Sequence, residues 1–115
     1  MYQVLNDLNK TPGITGSMVV GHDGIVIAAD LNTGFEGDTV GALAASITAN
    51  IQKSLERLDA SPLSQVTIEA DEGKLFFTGS DLGILVVTTD KSVNIGLIRL
   101  EIKNALGRLA AVTAG

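Results

Sequence analysis

The 115-residue chain contains no cysteine, no tryptophan and a single histidine, His22. Those absences together remove disulfides, thiolate nucleophiles and cysteine-built zinc sites, and one imidazole cannot build a histidine-rich metal centre. Aromatic residues make up only 3% of the sequence, namely Tyr2, Phe35, Phe76 and Phe77. That leaves no stacking platform for single-stranded nucleic acid. Positive charge is scarce too: 8 Lys and Arg stand against 13 Asp and Glu, for a net charge of -5. Phosphate backbones attract the opposite balance, so no nucleic-acid partner is expected. Long hydrophobic runs are also missing. The longest lies near Ile84 to Val87, far short of a spanning helix, so membrane insertion is not expected either. Met1 to Lys10 alternates apolar and polar residues without a continuous apolar stretch, which does not read as a signal peptide. The expected compartment is the cytoplasm.

What is present suits one packed domain over residues 1–115. Hydrophobic residues are 45% and charged residues 18%, enough for a core that buries roughly two-thirds of the unfolded surface. The mean hydropathy of +0.33 is high for a soluble domain and points to a surface that expects a partner.

The periodicity predicts three helices and five strands. Val4, Leu5 and Leu8 give a short amphipathic helix, ended by Thr11-Pro12-Gly13. Ile14 to Val20 and Ile25 to Ala29 are β-branched runs joined by Gly21-His22-Asp23-Gly24, a strong hairpin signal. A Gly-rich loop from Leu31 to Gly37 leads into a helix from about Asp38 to Leu58. Its expected core stripe is Val40, Leu43, Ile47, Ile51, Leu55 and Leu58. After Ser61-Pro62, Ser64 to Ala70 alternates like a strand with one wet face. Asp71-Glu72-Gly73 turns into Lys74 to Thr78, and Ser80 to Gly83 turns into Ile84 to Thr88, whose two apolar faces predict a central strand. A last helix from about Asn94 carries Ile95, Ile98, Ile102, Ala105, Leu106 and Leu109 inward, with Arg99, Lys103 and Arg108 on its polar side. The fold class is therefore α+β in the order αββαβββα: an antiparallel five-stranded sheet with helices on both faces.

Catalytic and ligand motifs are weak. His22 beside Asp23 lies in a turn, with no nucleophile flagged for it. Asp71, Glu72 and Asp81 sit in hairpin turns, where acids serve the backbone, and no EF-hand spacing occurs. Neither Gly34 to Gly41 nor Gly79 to Gly83 makes a phosphate loop, since no Gly-Lys-Ser or Gly-Lys-Thr is present. No enzyme, cofactor or metal is expected.

The ordered set of Pro12-Gly13-Ile14-x-Gly16, the hairpin Val20 to Ala28 and the helix Asn94 to Ile102 resembles the Roadblock family of small scaffold proteins. The last helix makes the chain similar to the bacterial, MglB-like branch, since dynein light chains of the family mostly lack it. The resemblance covers nearly the whole chain. It implies a dimer with the long middle helices side by side and the two sheets joined edge to edge. It also implies binding to a small Ras-like GTPase, whose hydrolysis such proteins can stimulate without donating an arginine.

Two features agree with that implication. Opposite its core stripe, the middle helix carries small residues where a wet face would carry Lys and Glu. Gly41, Ala45, Thr48, Ala49 and Gln52 are therefore expected at the subunit contact, with Ala42, Ser46, Lys53 and Arg57 nearer the GTPase. The strand from Ser64 to Ala70 should be a sheet edge, yet it has no Pro, Lys or evident bulge to defend it. A second copy pairing there would involve Gln65, Thr67 and Glu69. The alternative function is a small-molecule sensor of PAS or profilin architecture, with a ligand between sheet and helices.

Overall fold

The computed structural model describes residues 1–32, 34, 36–60 and 62–114. Phe35 of the Gly-rich loop and Ser61 of the Ser-Pro breaker lie outside them. The elements follow the predicted order: α1 (Tyr2–Leu8), β1 (Ile14–Val20), β2 (Val26–Leu31), α2 (Gly37–Arg57), β3 (Gln65–Ala70), β4 (Gly73–Ser80), β5 (Gly83–Asp90) and α3 (Ile95–Ala114). The five strands form one antiparallel sheet in the order β2-β1-β5-β4-β3. Helices α1 and α3 cover one face and α2 the other.

Strand β5 takes the middle of the sheet because its side chains are apolar in both directions. Leu85 and Val87 pack with Val19 and Phe76 under α1 and α3. Ile84 and Val86 pack with Met18, Val20 and Phe77 under α2. The adjacent pair Phe76 and Phe77 serves both layers, since neighbouring side chains of a strand point to opposite faces. Both rings are fully buried, each contributing roughly 1.5–3 kcal/mol of apolar burial.

Helix α3 seats Ile98, Ile102, Ala105 and Leu109, as its period predicts. Its start is capped by Asn94, whose Oδ1 accepts the Leu97 N–H at 3.1 Å, one of the donors a helix start leaves without an intrahelical partner. Helix α1 buries Val4, Leu5 and Leu8 beside it. A polar tie fixes the end of α1: Asn9 Nδ2 donates to the Asp30 carbonyl at 2.8 Å, and the buried Ser17 hydroxyl donates to Asn9 Oδ1 at 2.8 Å.

The structure corrects the expected core stripe of α2. Leu43 is 54% exposed and Leu58 74%, whereas the buried residues are Val40, Gly41 and Ala44. The helix has turned its small side to the sheet, because small residues let its backbone come close. A Cβ on Gly41 would stand 3.0 Å from the Gly24 carbonyl oxygen and 3.3 Å from methyl groups of Val20 and Val26. Gly24 supplies its side of that approach with a φ of +88° in the β1–β2 turn, a conformation that costs glycine little.

The two sheet edges are built differently. At β2 the pairing with β1 jumps from Val19–Ala28 to Val20–Val26, so Ile27 has no partner and forms a bulge. At the other edge, β3 pairs with β4 residue for residue from Gln65–Thr78 to Ala70–Gly73. A bulge twists an edge away from further pairing; β3 has none.

Candidate interaction surface

Helix α2 starts near Leu31 and Met18, and toward its far end Gln52 Oε1 accepts the Leu63 N–H at 2.8 Å. That path leaves part of the sheet uncovered. Val66, Ile68 and Leu75 on β3 and β4 point to the α2 side and are only partly buried. Beside the helix, next to Leu75, runs a groove of about 260 Å³ lined by Glu36, Thr39, Val40, Leu43, Ile47, Leu75 and Phe77.

The helix therefore has three working sides. Val40, Gly41 and Ala44 seat it. Leu43 and Ile47 flank the groove. Ala42, Ser46, Lys53 and Arg57 all lie exposed on the outer side. These four are the residues expected nearer the GTPase, and they share one exposed side of the helix.

Of the residues expected at the subunit contact, Gly41 parts from the other four. Gly41 is buried by its own sheet, so it is not open to another subunit. Ala45, Thr48 and Gln52 are half-buried and, with the exposed Ala49, border a second depression of about 220 Å³ that also touches His22 and Leu63. The polar atoms there are engaged within the chain. Thr48 Oγ1 donates to the Ala44 carbonyl at 2.8 Å, Gln52 Nε2 to Glu56 at 3.3 Å, and His22 Nε2 lies 3.2 Å from the Ser80 carbonyl oxygen. A small ligand would find few free groups to orient it. Leu43 and Ile47 are the surface that sequence reasoning missed. Their size marked them as core, and the signal that could have relocated them was the run of small residues beside them.

Gln65, Thr67 and Glu69 lie on β3, the unbulged edge, with their side chains on the α3 side of the sheet. Gln65 Nε2 donates to Thr78 Oγ1 at 3.0 Å across the β3–β4 pair. Arg99 Nη2 of α3 reaches Thr67 Oγ1 at 3.5 Å.

Elsewhere the charged groups serve the fold. Asp23 Oδ1 accepts the Ile25 N–H at 3.0 Å in the β1–β2 turn, an Asx turn that leaves His22 without an orienting carboxylate. Asp7 of α1 meets Arg108 of α3 at 2.9 Å. The hydrogen bond from Arg108 holds the Asp7 carboxyl below its ordinary 3.8; it exceeds the opposing desolvation, and Gln3, the Arg108 charge and Lys10 lower it further. Among the described residues no group of three or more His, Cys, Asp or Glu could hold a metal ion. No helix among them is long and apolar enough to cross a membrane.

At the level of fold, the structure superposes on a Roadblock/LC7 domain from Streptomyces avermitilis with a TM-score of 0.91 at 18% identity, covering 100% of this chain and 98% of that one. It superposes on Myxococcus xanthus MglB with a TM-score of 0.89 at 21% identity, covering 97% and 93%. In sequence, it is 42% identical over 110 residues to the uncharacterized protein MJ0310 of Methanocaldococcus jannaschii, covering 96% of both chains. The family model of the Roadblock/LC7 domain matches residues 1–89, and the chain belongs to that family.

Proposed function

We propose that this protein is a homodimeric, non-catalytic regulator or scaffold, acting in the cytoplasm, that binds a small Ras-like GTPase. Roadblock/LC7 domains are generally non-enzymatic regulatory modules, and the fold matches MglB closely. The observation that carries the reading is the half-covered inner face of the sheet. Val66, Ile68 and Leu75 stand beside a helix that turns Leu43 outward, and the adjoining edge strand is undefended.

A second copy related by a two-fold axis satisfies both features at once. Pairing β3 with its equivalent continues the sheet, and the partner's α2 then lies alongside the apolar groove. The subunit contact in this arrangement is Leu43 and Ile47 together with Gln65, Thr67 and Glu69. It leaves Ala42, Ser46, Lys53 and Arg57 of both helices facing outward as one surface for the GTPase.

Stimulation of GTP hydrolysis would proceed by holding the GTPase's own catalytic loops in their active arrangement, a population shift that needs no donated side chain. Of the three arginines in the sequence, Arg108 is engaged by Asp7 and Arg99 reaches β3 from α3, so Arg57 alone lies on the proposed GTPase surface.

The test is retention of a Ras-like GTPase on the immobilised protein, with GTP analogue and with GDP in parallel, followed by a hydrolysis assay. Retention that depends on the analogue supports the regulator. Equal retention supports a scaffold blind to the nucleotide, and no retention in either state removes the GTPase from the account.

A further inference from the structure

We propose that Arg99 and Glu69 form an ion pair between subunits, repeated twice by symmetry, which selects a second copy of this chain as the partner along β3. The inference rests on the dimer reading above. Arg99 and Glu69 are both exposed, and neither has an opposite charge within 4.0 Å among the described residues, where the only ion pairs are those of Asp7 with Lys10 and Arg108. The cation nearest to Glu69 by register is Lys74, directly across the β3–β4 pair. Its ammonium is turned away to donate to the Lys91 carbonyl at 2.7 Å.

Symmetry brings the two unpaired charges together. A two-fold axis perpendicular to the sheet keeps both α2 helices on one face, so residues opposite each other across the new β3 pair must share a face. In the two registers centred on the strand, about Ile68 or about Thr67, Thr67 or Gln65 stands opposite Glu69 of the second copy. Opposed residues in an antiparallel pair have Cβ atoms about 4.5–5.5 Å apart, and diagonal neighbours about 7–8 Å, within reach of a long side chain. Arg99 already places a guanidinium nitrogen 3.5 Å from Thr67 Oγ1, over the middle of that strand. It therefore reaches the partner's carboxylate in either register.

A partner lacking an acid at this position would leave Arg99 unpaired, so the pair acts in partner choice more than in raw affinity. Sedimentation velocity of the full chain tests it at low salt, with wild type, Arg99→Glu, Glu69→Arg, their equimolar mixture and the double variant. The expected results are a wild-type dimer, dissociation constants raised roughly tenfold or more in each single variant by two repulsive pairs, and recovery in both the mixture and the double variant. Circular dichroism should be unchanged, since both side chains are exposed. A wild-type dimer whose single variants associate normally overturns the ion pair and leaves the dimer standing. Weakened single variants that fail to recover on mixing also overturn it, because a pair within one chain would behave that way. A monomeric wild type overturns the dimer reading and this inference with it.

Discussion

Gly41 of α2 lies directly on Gly24 of the β1–β2 turn, and a Cβ on Gly41 would stand 3.0 Å from the Gly24 carbonyl oxygen. The contact joins two backbones, so neither side has a flexible group that can give way. Gly41→Leu should therefore lift the helix from the sheet and lower the unfolding free energy by roughly 1–3 kcal/mol. Urea denaturation of the variant measures it. An unchanged midpoint would mean that Gly41 faces outward after all.

Leu43 is held to a different expectation. It is 54% exposed, so Leu43→Glu should change the stability of the subunit by no more than about 0.5 kcal/mol. The same substitution puts a charge into the groove that a second subunit covers in the proposed dimer. Gel filtration with light scattering should show the variant as a folded monomer. A stable dimer carrying this substitution would place the subunit contact elsewhere.

The contrast between Gly41 and Leu43 also shows where sequence reasoning stopped. Element order was legible because each turn carries its own chemistry: Asp23-Gly24 and Glu72-Gly73 close hairpins, and Ile84 to Val87 can only be central when apolar on both faces. The apolar stripe of α3 matched its buried face for the same reason. On α2 the apolar stripe is wider than one interface, and periodicity cannot say which part of it faces which surface. Hydrophobicity favoured Leu43 and Leu58, while close approach favoured Gly41 and Ala44, and close approach decided the seating. The edge position of β3 was legible from its place after the crossover, but the bulge at Ile27 depends on pairing register, which alternation does not encode.

Asp7 makes the packing of α1 on α3 sensitive to acid. Its folded-state carboxyl is held below the ordinary 3.8, chiefly by the hydrogen bond from Arg108. In that range the unfolded chain binds more protons, so stability rises with pH. The contribution is complete above the ordinary carboxylate range and is lost as the pH falls through the lowered value. Stability measured against pH should show wild type and Asp7→Asn differing most near neutrality and converging in acid. A gap that widens as the pH falls would contradict the assignment.

Lys53 and Arg57 are exposed on the outer side of α2, away from both the seat and the groove. Lys53→Glu combined with Arg57→Glu should weaken binding of the GTPase about tenfold or more, through lost charge complementarity, and leave the dimer intact. Titration calorimetry with the isolated GTPase, alongside sedimentation of the variant, separates the two effects. Unchanged affinity would remove this end of α2 from the GTPase surface.

In the proposed dimer a second copy covers the groove and extends the sheet. Sedimentation equilibrium of the full chain at micromolar concentration reads that directly. The predicted result is a single species of twice the 11.9 kDa chain mass; a monomer persisting across the concentration range would contradict it.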